Sequence, residues 1–246
     1  MLASLQYRVL RRIAPSEPAR TSSSVYADRS KLAALLGPAI FDHCRGRDVL
    51  DFGCGDGLEA VELASVAHSV FGLDIVPRVI DQARERAVAA HVDNVCTFGF
   101  EPPAAVFDVI ISLDAFEHFA DPATVLVAMH RMLRTGGRVL ASFGPTWYHP
   151  FGGHLFSVFP WAHLVFGEAA LIRWRSGIRS DGATRFSEVE GGLNRMTIAR
   201  FERIARQSPL DLVHLETVPI RRLERVHARA TREFTTSIVR CELVRQ

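Results

Sequence analysis

The sequence predicts an α/β domain whose mostly parallel sheet is covered by helices on both faces. Three observations carry this: short apolar runs bounded by turn residues, helix-spaced stretches between them, and a glycine-rich turn directly after the first run. The runs Asp48–Phe52, Ser69–Leu73, Phe107–Ser112 and Arg138–Phe143 read as buried strands, and Val95–Phe98 as a weaker one. Pro77 opens a helix with Val79, Ile80, Ala83 and Ala87 on one face. Asp121-Pro122 caps another, with Val125, Leu126, Met129 and Leu133 as its stripe and Gly136-Gly137 as its stop. Strand alternating with helix demands right-handed crossovers, hence the parallel sheet.

The 246 residues suit one domain with trimmings. A hydrophobic content of 48% with 23% charged residues excludes a disordered or fibrous chain. With 29 basic and 27 acidic residues, the net charge of +2 gives no polybasic surface, which argues against nucleic acid as a partner. Lys31 is the sole lysine, a bias that looks compositional. Cys44, Cys54, Cys96 and Cys241 are scattered without a Cys-x-x-Cys pair, so they read as free thiols of a reducing, cytoplasmic compartment. Leu2, Leu5, Val9 and Ile13 recur near helical spacing among Arg8, Arg11 and Arg12. This stripe reads either as packed on the domain, the favoured expectation, or as a helix lying on a membrane surface. Phe151–Ile172 is apolar but broken by Gly152, Gly153, His154, Pro160, His163, Gly167 and Glu168, which argues against a spanning helix. Beyond Ser22-Ser23-Ser24 no low-complexity segment is present.

Four segments follow: N-terminal helices (1–45), a cofactor-binding core (46–143), an insertion or lid (144–196), and a C-terminal completion of the sheet (197–246). In the last, Thr197–Gln207 reads as a helix, Leu210–Val218 as a strand, Arg221–Thr231 as a basic helical stretch and Thr235–Val244 as the final strand.

The strongest chemical signal is Val49-Leu50-Asp51-Phe52-Gly53-Cys54-Gly55-Asp56-Gly57, a strand running into a bend that opens a helix near Leu58. Asp74 ends the next strand, about twenty positions on, where a carboxylate can accept from two ribose hydroxyls. Together they indicate a nucleoside-containing cofactor. A dinucleotide fingerprint would place its third glycine three residues after the second. Here the glycines stand at 53, 55 and 57, with Asp51 two residues before the first. A carboxylate there opposes a phosphate and suits an ammonium. This disfavours the rival reading, a nicotinamide-dependent oxidoreductase.

At these residues the chain resembles the class I S-adenosylmethionine-dependent methyltransferases, in particular the group of the ubiquinone-biosynthesis type. The resemblance continues through Phe71–Asp74, Phe107–Ser112, Glu117-His118-Phe119, Asp121-Pro122 and Arg131–Gly137. It implies a Rossmann-like seven-stranded sheet, mostly parallel with an antiparallel last strand. It implies that Asp51, Gly53, Cys54 and Gly55 hold the methionine portion of S-adenosyl-L-methionine, that Asp74 binds the ribose, and that Ile75 lies against the adenine, with Leu113 also in the cofactor set. Many relatives carry an Asp after the third strand for the adenine amine. This chain reads Phe98-Gly99-Phe100-Glu101, so Phe100 or Glu101 substitutes.

Methyl transfer needs alignment and exclusion of water more than acid–base chemistry. His118 is placed to act as a base toward a hydroxyl acceptor, or serves as a structural histidine at a helix start. The insertion, Trp147–His154 and Phe159–His163, should fold over the open sheet edge. It forms either an acceptor pocket with Tyr148, His149 and His154 as polar contacts or a packed satellite core. A metal held by His149, His154 and His163 lacks a carboxylate or compact ligand pair, so no metal is expected. Arg173, Arg175, Arg179 and Arg185 read either as a clamp on an acidic group or as a solvated face, and Asn194 as a mouth residue or a cap. The expected function is methylation of a small molecule, at oxygen, with apolar or ring surface. The alternative is a non-catalytic module that binds the cofactor without turnover. DNA amino-methylation is disfavoured because Ser112-Leu113-Asp114-Ala115 stands where such enzymes carry N/D-P-P-Y/F.

Overall fold

The computed structural model describes residues 2–15, 30–104, 106–179, 182–189 and 192–246; Met1, the Ser22–Ser24 run, Glu190 and Gly191 lie outside them. Seven strands form one sheet: β1 (Asp48–Phe52), β2 (Ser69–Leu73), β3 (Cys96–Gly99), β4 (Phe107–Leu113), β5 (Leu133–Phe143), β6 (Asp211–Pro219) and β7 (Thr236–Val244). Their order is β3-β2-β1-β4-β5-β7-β6. All neighbours from β3 to β5 run parallel, while β7 runs antiparallel to both β5 and β6. The chain winds outward one way from β1 to β3 and the other way from β4 to β5. This places the switch in strand order, where open α/β sheets bind ligands, between β1 and β4.

The helices of the core follow their signals. Gly57 precedes α4 (Leu58–Leu63), and Pro77 opens α5 (Pro77–Ala89), which buries Ile80, Ala83 and Ala87. Asp121 caps α6 (Pro122–Met132), its carboxylate accepting from the Ala123 and Thr124 amides at 3.1 and 3.3 Å. With α2 (Lys31–Leu36) and α3 (Ile40–Cys44), α4 and α5 cover one face of the sheet; α6 and α9 (Ile198–Gln207) cover the other. All four cysteines are free and buried. Among the described residues no helix is long and apolar enough to cross a membrane.

Three expectations are corrected. The helix expected to run to Gly136-Gly137 ends at Met132. Leu133 turns extended and pairs with Phe107, and Arg134 reaches Asp48 and Asp108 at 2.8 and 2.7 Å, which draws the chain into β5 five residues before the expected Arg138. The basic stretch after β6 is a 3₁₀ turn, Arg221–Val226, followed by α10 (Arg232–Thr235).

The third correction concerns α1 (Leu2–Ile13). Its predicted stripe, Leu2, Leu5, Val9 and Ile13, is 39–70% exposed. The helix packs instead through the neighbouring line of Tyr7, Leu10 and the following Ala14, which joins a third core formed by the insertion. That insertion includes α7 (Ala162–Val165) and α8 (Glu168–Ser176). Trp174 Nε1 donates to the Ala14 carbonyl at 2.7 Å, the Arg173 guanidinium lies 4.4 Å from the Tyr7 ring centroid, and the Gly167 amide donates to Gln6 Oε1 at 3.1 Å. The polar ends of Trp174 and Gln6 select which half of a broad apolar arc is buried.

The glycine bend tests how tightly the helix layer sits on the sheet. Gly57 adopts φ +77°, and a Cβ there would lie 2.7 Å from Ala83 Cβ and 2.8 Å from the Phe98 ring. At Gly55, φ +53°, nothing lies within 4 Å of such a Cβ. Gly57→Ala should therefore destabilise the protein by roughly 2–4 kcal/mol, and Gly55→Ala by about 1 kcal/mol. Urea unfolding measures both; equal losses would contradict close packing at Gly57.

Candidate functional site

At the tip of β1 the backbone folds back on β2: the Gly53 and Cys54 amides donate to the Leu73 carbonyl at 2.8 and 3.0 Å. Asp74 closes the bend, its carboxylate accepting from the Gly55 amide and the Val76 amide at 3.0 Å each. A carboxylate has about four lone-pair sites, so two acceptor positions remain for hydroxyl donors. Gly55 leaves open space above the bend.

Beneath it lies Asp51, 2% exposed, with Oδ2 lacking any hydrogen-bond partner. Burial, and then the negative charge of Glu59, push this carboxyl up to about 8, against the partial relief offered by Lys31. The Lys31 ammonium stands 3.2 Å from Asp114 and 3.6 Å from Glu59. An acidic nest already organised around one ammonium, with a buried carboxylate still unpartnered, fits the amino-acid end of S-adenosylmethionine. The sequence reading missed the part played by Lys31, because fifteen or more residues separate it from every acid it meets.

The other predicted cofactor residues fall on the same edge. Ile75 is 87% exposed beyond β2, Phe100 projects beyond β3 with the Arg84 guanidinium 5.9 Å from its ring, and Leu113 is buried at the end of β4. Cys54 differs in kind. Its side chain is buried beneath the bend, its Sγ only 2.9 Å from where a Cβ on Gly72 would stand, and burial raises its thiol pKa. Only its backbone is available to a ligand.

The turn after β4 packs on the bend: a Cβ on Gly53 would sit 3.4 Å from Ala115 Cβ, and Phe52 and Phe119 meet edge to face at 5.6 Å. This turn carries Glu117 and His118. Asn194 clamps it, donating through Nδ2 to the Phe116 and Phe119 carbonyls at 2.7 Å each, while its amide donates to the Glu117 carbonyl. His118 Nδ1 lies 2.9 Å from the Gly192 carbonyl. A carbonyl only accepts, so Nδ1 carries the proton and Nε2 keeps its lone pair whenever the ring is neutral.

Of the insertion residues, the structure brings His154 to this point, its ring edge to face with His118 at 5.2 Å between centroids. Tyr148 packs on Phe234, and His149 Nδ1 accepts from the Phe151 amide of its own loop. His163 is buried: its Nε2 donates to the Trp147 carbonyl at 2.7 Å and its Nδ1 accepts from Ser157 Oγ at 2.8 Å, and burial lowers its pKa. The trio His149, His154 and His163 is therefore not a cluster. The group that does converge is Glu117, His118 and His154. Glu117 is 2% exposed; burial, with Asp114 adding to it, pushes its carboxyl up to about 8. His118 opens onto a cavity of about 370 Å³ lined also by Phe186, Leu193, Asn194, Arg185 and Arg200. Arg175 and Arg179 join His118 and His154 around a smaller one of about 140 Å³, while Arg173 instead stacks on Tyr7.

Residues 50–141, which span β1 to β5 and both turns, match the family described as "Methyltransferase domain". In these residues the chain is similar to that family, and the match covers the sheet core alone. A probable S-adenosylmethionine-dependent methyltransferase of Mycolicibacterium smegmatis is 35% identical over 40% of this chain and 38% of its own length. The ubiquinone biosynthesis O-methyltransferase of Cereibacter sphaeroides is 33% identical over 44% of each chain. The chain thus spans less than half the length of these curated relatives. Among solved structures, magnesium protoporphyrin IX methyltransferase of Synechocystis PCC 6803 with bound S-adenosylhomocysteine superposes with a TM-score of 0.57 at 17% identity, over 100% of this chain and 96% of that one. The [4+2]-cyclase SpnF superposes at 0.58 and 13% identity, over 99% and 93%. The likeness in fold therefore reaches well beyond the segment 50–141 that the family model matches.

Asp51 supplies a pH test of cofactor binding by this domain. Without a cationic partner its carboxyl is largely protonated at pH 7, because its folded pKa of about 8 lies above the ordinary value of 3.8. A ligand ammonium beside it favours the carboxylate, so binding should release close to one proton per site at pH 7, and affinity should rise with pH up to about 8. Titration calorimetry of S-adenosylhomocysteine in buffers of different ionisation enthalpy reads this directly. Binding without proton release would place the ammonium away from Asp51.

Proposed function

We propose that this protein transfers a methyl group from S-adenosylmethionine to an oxygen of a small molecule with apolar or ring surface. The observation that carries the reading is the shared edge: an acidic nest at a glycine bend packs directly on the turn that presents His118 to a cavity. The cofactor's sulfonium supplies an already activated methyl group. Asp51, Gly53, the Cys54 backbone and Gly55 hold its amino-acid end, Asp74 accepts from the ribose hydroxyls, and Ile75, Phe100 and Leu113 border the adenine.

On the acceptor side the residues divide the work. His118 Nε2, with Nδ1 tied to Gly192, takes the proton of an acceptor hydroxyl as the new bond forms. Phe186 and Leu193 offer apolar contact, and Arg185 with Arg200 favours an acceptor that also carries an acidic group. His154 adjoins His118 as a second polar contact, whereas Tyr148 and His149 bound the lid. The exposed apolar face of α1, bordered by Arg8, Arg11 and Arg12, supports peripheral contact with a lipid surface as part of the same proposal.

A panel of hydroxyl-bearing ring compounds incubated with S-adenosylmethionine should yield products heavier by one methyl group, read by mass spectrometry. Asp74→Ala should weaken S-adenosylhomocysteine binding by at least roughly 100-fold, since two hydrogen bonds to a charged group are lost, with the fold retained. Unchanged affinity would remove the ribose from Asp74. Tight cofactor binding with no product across the panel would favour a non-catalytic module.

A further inference from the structure

We propose that Glu117, His118 and His154 form a binding site for a divalent transition-metal ion where the turn after β4 meets the insertion. One ligand atom from each lies within 4.8 Å of the other two. Donors bound at about 2.0–2.2 Å to a common ion stand roughly 3–3.5 Å apart, so a closure of at most about 1.3–1.8 Å completes the site, a shift that rotation of the two rings can supply.

Each residue is prepared for this in a different way. Glu117 is buried, its Oε1 accepts from the Gly144 amide at 3.2 Å, and its Oε2 has no hydrogen-bond partner. A buried carboxylate oxygen with nothing to accept from is costly, and a cation placed against it removes that cost. His118 donates Nδ1–H to the Gly192 carbonyl, which leaves Nε2 as the ligating atom. A backbone carbonyl on the far ring nitrogen is the usual way a metal-binding imidazole is fixed in tautomer and orientation. His154 is carried into place at φ +51° by a tight turn in which its amide donates to the Phe151 carbonyl at 2.9 Å.

Two imidazoles and one carboxylate select zinc, manganese, iron or cobalt over calcium and magnesium, which prefer all-oxygen shells. Three protein ligands leave at least one coordination position open, and both cavities at His118 adjoin it. That position suits a hydroxyl or carboxylate oxygen of a ligand. The binding site stands on its own geometry. Only a part for the ion in orienting a methyl acceptor rests on the proposed methyl transfer.

The test uses the full chain, stripped with a chelator and titrated with Co²⁺. One equivalent should bind with micromolar or tighter affinity and produce visible d–d absorption. His154→Ala and Glu117→Gln should each weaken uptake at least tenfold and change the spectrum. His214→Ala, an exposed histidine on β6, should leave both unaltered. Circular dichroism and S-adenosylhomocysteine affinity, measured in parallel, report on the fold and the cofactor site separately, so that failure of the metal site is distinguishable from failure of the methyltransferase reading. Absence of stoichiometric uptake by the folded wild-type chain, or uptake indifferent to His154→Ala and Glu117→Gln, would overturn the proposal.

Discussion

The structure turns on a carboxylate kept out of water. Asp51 sits at the end of a central strand, flanked by hydrophobic neighbours below and by Glu59 and Asp74 to the side, and one of its oxygens has no partner. Burial holds this carboxyl largely neutral at pH 7, and its charged form is tolerated only where a cation compensates it. The features around it become intelligible as a response. Glycines at 53 and 55 let the backbone bend at positive φ, Gly55 leaves open space at the bend, and Asp74 pins it through the Gly55 amide. The sole lysine of the chain reaches in from α2 to moderate the accumulated negative charge. Such an arrangement suits a cationic group, and the bend lies in contact with the turn bearing His118.

Much of this was legible in the sequence because the signals were local. Strand–turn–helix transitions such as Asp51–Leu58, or the Asp121-Pro122 cap, depend on residues a few positions apart, and hydrogen-bond requirements at those positions leave few alternatives. The strand runs and the mostly parallel order followed from the same periodicities, while the seven-stranded sheet with its antiparallel last strand was what the family resemblance implied. Residues whose role depends on distant partners were not legible. Glu117 and His118 are adjacent in sequence, yet the third member of their cluster lies 36 positions later, on the far side of β5. Lys31 looks like a compositional accident in the sequence, and only the fold brings its ammonium beside Glu59 and Asp114.

The errors have physical causes of the same kind. Helix α1 is apolar over more than half its circumference, so periodicity alone could not say which half would be buried. Side-chain hydrogen bonds from Trp174 and Gln6 decided it. The end of α6 was misplaced because Gly136-Gly137 is a strong stop signal, but Leu133 gains a buried position against Phe107 by leaving the helix first. In the insertion, three histidines looked equivalent; the fold separates them into one buried in a structural hydrogen-bond network, one bonded to its own loop, and one brought to His118. The likeness of the whole fold to a cyclase as well as to methyltransferases shows that chemistry here is settled by side chains at the sheet edge and not by topology.

The most direct measurement of the central claim is a crystal structure of the chain with S-adenosylhomocysteine. The account predicts the amino group of the ligand against Asp51, its ribose hydroxyls on Asp74, and its sulfur directed toward the turn that carries His118. A ligand bound elsewhere, or one bound at the bend with Asp51 still unpartnered, would contradict it.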